Sequence, residues 1–375
     1  MRALAALGGP ASSDAATAPL GIVYATPPFA AHLAELVDLL RARSDVAHWT
    51  GGIGQGVCAN TTEYGGEAAL ALMVVDLPRD GFRVFSGRQP APPREGPGAQ
   101  PALRASAALV HADPDTPDLA ELVADMAART ESGFQFGAIV GADAGLPSQV
   151  ADGALSGGLS GVVFGVEVPL LSRVTQGCAP LAGEHRISEC SDQLIQALDG
   201  RPALDVLLDD LGVSPPVKRS LDGDEILRAL PADRLRGGLL VGLAVEGGRG
   251  IGFGDYLVRN VVGIDPRNRL LAIAGAPREG DRAVFCTRDP ETARRDLVRA
   301  CTELRSELEE SGSRPRAALY HCCVARGENL FGERGAEIEL IRRNLGEVPL
   351  IGVYANGEIV RDRIYGYTGV LTLIM

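Results

Sequence analysis

The densest group of reactive side chains in the sequence is His321-Cys322-Cys323, followed closely by Arg326. A cysteine becomes a nucleophile or a redox centre when a neighbouring cation stabilises its thiolate. An arginine can grip a carboxylate with both arms of its planar fork. Strand alternation puts His321 and Cys323 on one face and Cys322 on the other, so only Cys323 can join the histidine. The competing reading is cysteines that merely pack, with Arg326 in a surface ion pair to Glu328 or Glu333. Asn356-Gly-Glu358 stands at the corner after an apolar strand, where Asn356 and Glu358 form either a plain turn or a contact to an ammonium or hydroxyl group. In Asp255-Tyr-Leu-Val-Arg-Asn260, an internal Asp255–Arg259 pair competes with ligand contact by Arg259 and Asn260. Two glycine-rich corners, one holding Gly52 and Gly54 and the other Gly141 and Asp143, serve either tight turning and close sheet contact or approach of backbone to a ligand.

Several chemistries are excluded or disfavoured by what surrounds these residues. No phosphate-loop lysine follows Gly51-Gly-Ile-Gly-Gln-Gly56, and the dinucleotide fingerprint fails. The five histidines form no His-x-His or i, i+4 pair, and the seven cysteines contain no Cys-x-x-Cys, so neither a metal centre nor a disulfide framework is supported. Gly158-Leu-Ser-Gly-Val162 lacks the last glycine of a nucleophile elbow. A formal charge of −12 repels phosphate backbones, so nucleic acid is not an expected partner. No run of 18 apolar residues exists to cross a membrane. The reading is a cytoplasmic protein without a cofactor, its first residues a frayed leader that an organelle would accept as a transit peptide only as a minority alternative.

Positioning such residues takes a regular scaffold, and the sequence contains one succession three times: strand, helix, strand, Gly-rich corner, strand. The copies begin at Leu20, Ala107 and Ala317 and close with the apolar runs around Ala68–Asp76, Leu159–Val168 and Tyr367–Ile374. Continuous runs such as AALALMVV and GVLTLIM predict strands buried on both faces. Short strand candidates between the second and third copies predict a mainly antiparallel sheet, and a helix is expected over Glu291–Glu310. The fold class is therefore α/β in the mixed α+β sense, layered mixed sheets with flanking helices and internal β-α-β-β repeats. The division expected along the chain is a leader at 1–19, a domain at 20–212 with an exposed loop at 87–101, a connecting segment at 213–236, and a second domain at 237–375.

His48-Trp-Thr-Gly-Gly-Ile-Gly-Gln-Gly-Val-Cys-Ala59, Glu63-Tyr64 and Gln176-Gly-Cys178 with Pro180 resemble the amino-terminal domain of FIST proteins. Asp255-Tyr-Leu-Val-Arg-Asn260, Gly263-Ile-Asp265, Cys323-Val-Ala-Arg-Gly327, Val348-Pro-Leu-Ile-Gly352 and Asn356-Gly-Glu-Ile359 are similar to the carboxy-terminal FIST domain. The sequence departs from that pattern at Ala179, Ala325 and Val360. The resemblance implies a tandem of two FIST domains, an intracellular sensory module that binds a small ligand such as an amino acid or related metabolite, here expected to stand alone and to signal through a separate protein partner. Arg326 and Arg259 would hold the ligand's acidic end, Asn356 and Glu358 its amine or hydroxyl, with Cys323, Gly52, Gly54, Gly141 and Asp143 lining a common hollow. On this reading Arg326→Ala weakens binding by roughly 1–3 kcal/mol with little loss of fold. The alternatives are a cysteine-dependent enzyme on a small metabolite, with Cys323 as nucleophile, and a protein-interaction scaffold.

Overall fold

The chain forms mixed α/β sheets, and the computed structural model describes residues 16–92, 104–141, 143, 145–244 and 256–375. It divides into two units, Met1–Val174 with Leu297–Met375 and Thr175–Asp296. The segment 213–236 lies inside the second unit, and the first is assembled from both ends of the sequence. Residues 1–15 of the expected leader and 93–101 of the expected loop lie outside the described residues, and the first strand already begins at Thr17.

The first unit is built from the three repeats. The first copy runs β1 (Thr17–Ala25), α1 (Leu33–Arg43), β2 (His48–Ile53), a hairpin of β3 (Gly56–Ala59) and β4 (Thr62–Gly65), and β5 (Leu70–Pro78), after which comes β6 (Phe82–Phe85). The second runs β7 (Ala107–Ala112), α2 (Leu119–Ala128), β8 (Phe134–Ile139), a hairpin of β9 (Gln149–Ala151) and β10 (Ala154–Leu155), and β11 (Leu159–Phe164), followed by β12 (Leu170–Gln176).

The second unit carries β13 (Cys178–Pro180), β14 (His185–Ser191), β15 (Leu194–Leu198), β16 (Arg201–Pro202), α3 (Ala203–Asp210), α4 (Pro215–Lys218), α5 (Gly223–Ala229), β17 (Leu240–Ala244), β18 (Tyr256–Asp265), β19 (Leu270–Ile273) and β20 (Arg282–Arg288). Pairing of β20 with both β14 and β17 closes β20-β14-β15-β19-β18-β17 into a six-stranded barrel, a solution that leaves no open edge among these strands. Helix α3 contributes Leu204, Leu207 and Leu208 to one core with Ile195, Val241, Leu271 and Phe285.

After α6 (Pro290–Ser311) the third copy runs β21 (Ala317–Cys323), α7 (Glu328–Phe331), α8 (Ala336–Leu345), β22 (Leu350–Ala355), a hairpin of β23 (Glu358–Val360) and β24 (Arg363–Tyr365), and β25 (Thr368–Ile374).

In each copy the first strand lies between a parallel second strand and an antiparallel closing strand. The hairpins tie the copies into a ring. The first copy's β3 pairs with β22 of the third, the third copy's β23 pairs with β8 of the second, and the second copy's β9 pairs with β2 of the first. A glycine marks the same register position in every second strand. A Cβ on Gly51 would lie 1.7 Å from the Val23 carbonyl oxygen, one on Gly137 1.8 Å from that of Val110, and one on Gly352 2.4 Å from that of Tyr320. The residues that follow these three on the first strands, Tyr24, His111 and His321, are therefore structural equivalents.

Alternation gives each sheet two buried faces. One set, including Leu20, Ile22, Leu109, Ala317 and Leu319, merges into a single central core with Phe136, Phe164 and Val353. The other set meets the helices: Val23 and Ala25 pack with Leu33, Val37 and Leu40 of α1, and Ala108 and Val110 with Val123 and Met126 of α2. Full burial stabilises each of these Val, Leu, Ile, Phe and Met side chains by about 1.5–3 kcal/mol before chain entropy is subtracted.

Candidate functional site

At the end of β21 the chain turns outward through Val324 and Ala325, and the Arg326 N–H donates to the Cys323 carbonyl. This folds the Arg326 side chain back onto the helix-covered face, where α8 presents Glu337. Both side chains are 0 % exposed, and the guanidinium donates to Glu337 Oε1 from Nε at 2.9 Å and from Nη2 at 2.6 Å. The same carboxylate accepts the Tyr320 hydroxyl at 2.6 Å, the Gly327 N–H at 2.9 Å and the Cys322 thiol at 3.6 Å. Cys322 thus faces the helix, as alternation requires. The partner of Arg326 is neither Glu328 nor Glu333, and it is not at the surface. Consequently the expectation that Arg326→Ala would spare the fold is corrected, because that change strands a buried carboxylate. Arg326 Nη1 alone has no acceptor. Phe331 lies under the guanidinium at 5.4 Å.

On the neighbouring sheet, where β23 pairs with β8, Glu358 of the third hairpin shares the central face with Val360 and Ala138 and is 0 % exposed. Its Oε2 accepts the Thr368 hydroxyl at 2.5 Å and the Thr368 N–H at 3.2 Å, whereas Oε1 has no partner. Burial raises the Glu358 carboxyl to about 8, with the Thr368 contacts and the Arg326 charge acting against it. The pseudo-repeat shows what is particular here. Gln149 occupies the equivalent hairpin position, since it pairs with Gly52 as Glu358 pairs with Ala138. Both ends of the Gln149 amide are satisfied, by the Ser160 hydroxyl and by the carbonyls of Gly157 and Gly158. Only the third copy places an ionisable group there and leaves one oxygen bare. Cys323, 7 % exposed, is close enough for Glu358 to act on it, and burial together with that carboxyl pushes its thiol up to about 12. At neutral pH it is a thiol rather than a thiolate, so the arrangement does not activate it as a nucleophile.

Reading the sequence residue by residue missed the group at the centre of the ring. The Tyr24 hydroxyl lies 3.0 Å from His111 Nε2 and 2.8 Å from His321 Nε2, and all three residues are 0 % exposed. Burial lowers the His111 pKa to about 3 and that of His321 well below its ordinary value, and it raises that of Tyr24. The cluster is therefore neutral. Two proton arrangements satisfy these three contacts, one running from His321 Nε2–H through the tyrosine hydroxyl and His111 to Thr50 Oγ1 at 3.5 Å, the other from the Thr50 hydroxyl back to His321 Nε2. In either arrangement His321 Nδ1 has no hydrogen-bond partner. Aligning the three repeats in register would have found these residues, because each is the fifth or later residue of its copy's first strand, at one position.

The remaining candidates are dispersed. Gly52 and Gly54 are closely packed against protein: a Cβ would lie 2.7 Å from the Ser148 oxygen and 2.2 Å from Val353 Cγ2, respectively. Gly141 donates to the Ile53 carbonyl and faces Pro114, while Asp143 is exposed and lines a cleft of about 150 Å³ with Asp113 and Asp115. Asn356 is exposed at the mouth of the third hairpin. Arg259 and Asn260 belong to β18 of the barrel unit, where Arg259 donates to the Val258 carbonyl. Asp255, their expected neighbour, lies outside the described residues. Among the described residues no group of three or more His, Cys, Asp or Glu is placed to hold a metal, and no helix is long and apolar enough to cross a membrane.

The first unit is a ring of three α/β repeats with ionisable side chains buried inside it, and the second unit is built on a six-stranded barrel. The chain belongs to the FIST family: the FIST N domain matches residues 19–201 and the FIST C domain residues 203–361. FIST domains are generally regarded as sensory and signal-transduction domains. An uncharacterized protein of Mycobacterium tuberculosis is 29% identical over 222 residues, covering 57% of this chain and 54% of the relative. An uncharacterized protein of Mycobacterium bovis is 31% identical over 223 residues, covering 57% of this chain and 53% of the relative. The chain thus matches about half the length of these curated relatives.

Proposed function

We propose that this protein is a cytoplasmic sensory module that takes up a small ligand, an amino acid or related metabolite, at the head of the third repeat and passes the event to a protein partner. The observation that supports this is the coexistence of two fully buried ionisable side chains, each with a bare polar atom, Arg326 Nη1 and Glu358 Oε1. Burying an unpartnered polar group costs on the order of 1–3 kcal/mol, a cost that a ligand would offset. Arg326 Nη1 suits a ligand carboxylate or carbonyl. Glu358, protonated when empty, suits an ammonium group that displaces its proton. Cys323 lies near Glu358, and Asn356, exposed just before β23, is the nearest of the candidates to solvent.

Such an exchange has a measurable sign. Below the Glu358 value of about 8, binding an ammonium releases one proton, so affinity rises by up to tenfold per pH unit as pH increases toward that value. Calorimetry against a panel of amino acids and their derivatives, across this range, checks it. Glu358→Gln is expected to abolish the pH slope and weaken amine-bearing ligands by at least tenfold. A panel without any binder, or unchanged affinity and slope in Glu358→Gln, defeats the proposal. The nucleophilic alternative draws no support from a thiol held near 12.

A further inference from the structure

The ring repeats one more feature in the second and third copies and leaves it open in the first. The outer edge of β11 is covered by β6, antiparallel, from Gly161↔Phe85 to Phe164↔Phe82, and the outer edge of β25 is covered by β12. Strand β5 is their equivalent in the first copy, yet it is the terminal strand of its sheet, order β10-β9-β2-β1-β5. Its pairing with β1 is continuous over nine positions without a register shift, so the edge is straight. Arg316 Nη1 donates to the Asp76 carbonyl at 2.9 Å, which fixes the parity: the backbone groups of Leu72, Val74 and Asp76 point away from β1. Among the described residues, Leu72 and Val74 have no hydrogen-bond partner on that side. Edges of this kind are ordinarily blunted by lysine, proline or a bulge. Here the central residues are Leu-Met-Val-Val, and Val74 is 39% exposed.

We infer that β5 is an interface between two copies of this chain, joining their sheets edge to edge about a twofold axis at Val74. An antiparallel pairing centred there is self-complementary. Val74 meets Val74 of the second copy, and each Leu72 meets the other's Asp76, so the two acidic groups never oppose each other. The outward groups of the two Val74 residues satisfy each other and each Leu72 carbonyl accepts the other copy's Asp76 N–H, while each Leu72 N–H shares the Asp76 carbonyl with Arg316. Because the contact is isologous, it closes at two copies and uses up both β5 edges.

The test is sedimentation analysis of the full chain over a concentration series, with wild type, Val74→Lys, Val74→Glu and an equimolar mixture of the two variants. Circular dichroism and thermal melting check that each variant folds, which the exposure of Val74 favours. The expected result is a wild-type dimer, at least a tenfold weaker association for either variant alone, and restored dimer in the mixture, where lysine faces glutamate. A wild type that stays monomeric up to its solubility limit overturns the inference. So does a dimer indifferent to both variants, or a mixture no better associated than its components.

Discussion

Arg326 and Glu337 are both sealed from solvent, so each is tolerable only because the other is present. Arg326→Ala is therefore expected to destabilise the protein by about 3–5 kcal/mol, read as a shift in the urea midpoint, because the carboxylate loses two charge-assisted hydrogen bonds and keeps its desolvation. Replacing the pair together, as Arg326→Met with Glu337→Gln, should cost less than the single change. The two donors sit on separate oxygens, so the glutamine oxygen can accept the Gly327 N–H while its NH2 donates to the Tyr320 hydroxyl oxygen, and no net charge is left behind. A double variant as unstable as Arg326→Ala would show that the carboxylate, and not the stranded charge, sets the cost. The same comparison separates fold from recognition, since loss of ligand binding in Arg326→Ala alone would not distinguish a missing contact from a damaged repeat.

At the level of elements, the close approach of second strand to first is what sets the register of each repeat. Gly51 has φ +147 and no room for a Cβ against the Val23 carbonyl, so Gly51→Ala is expected to cost about 3 kcal/mol or more. Gly65→Ala, with nothing within 4 Å, is expected to stay within about 0.5 kcal/mol of wild type. Thermal melts of the two variants check the contrast. These elements were largely legible in the sequence, since β1, β5, β21 and α6 announce themselves through long apolar runs or helical spacing. The hairpins were not. Strands of three residues such as Gln149–Ala151 and Glu358–Val360 carry no usable period, and their partners lie in a different copy. β14 and β15 fall within the 20–212 domain expected from the sequence, and their barrel partners β20 and β19 lie far along the chain, a pairing that no local pattern announces. Glu358 was singled out from its place at a corner. The Tyr24, His111 and His321 cluster was invisible until the three first strands were set in register.

For the whole molecule, buried groups of opposite sign give stability a maximum in pH. His111 falls to about 3 from an ordinary 6.5, and His321 is lowered as well, so between those values the unfolded chain binds the extra protons and stability rises with pH. Glu358 is raised to about 8 from an ordinary 4.5, so across that window the folded chain holds the extra proton and stability falls with pH. From 4.5 to 6.5 two histidines oppose one glutamate, which leaves a net rise of about 1.4 kcal/mol per unit. Above 6.5 the histidine contribution is complete and the glutamate acts alone, joined by the weaker effect of His48 and His185, whose raised values work in the same direction. The expected optimum lies near 6.5. Trp49, the single tryptophan and fully buried in the first unit, reports it directly through fluorescence in urea titrations at a series of pH values. Glu358→Gln should flatten the alkaline side and steepen the acid side by about 1.4 kcal/mol per unit each, moving the optimum upward. A profile unchanged by that substitution would mean that the Glu358 proton does not contribute to the stability of the ring.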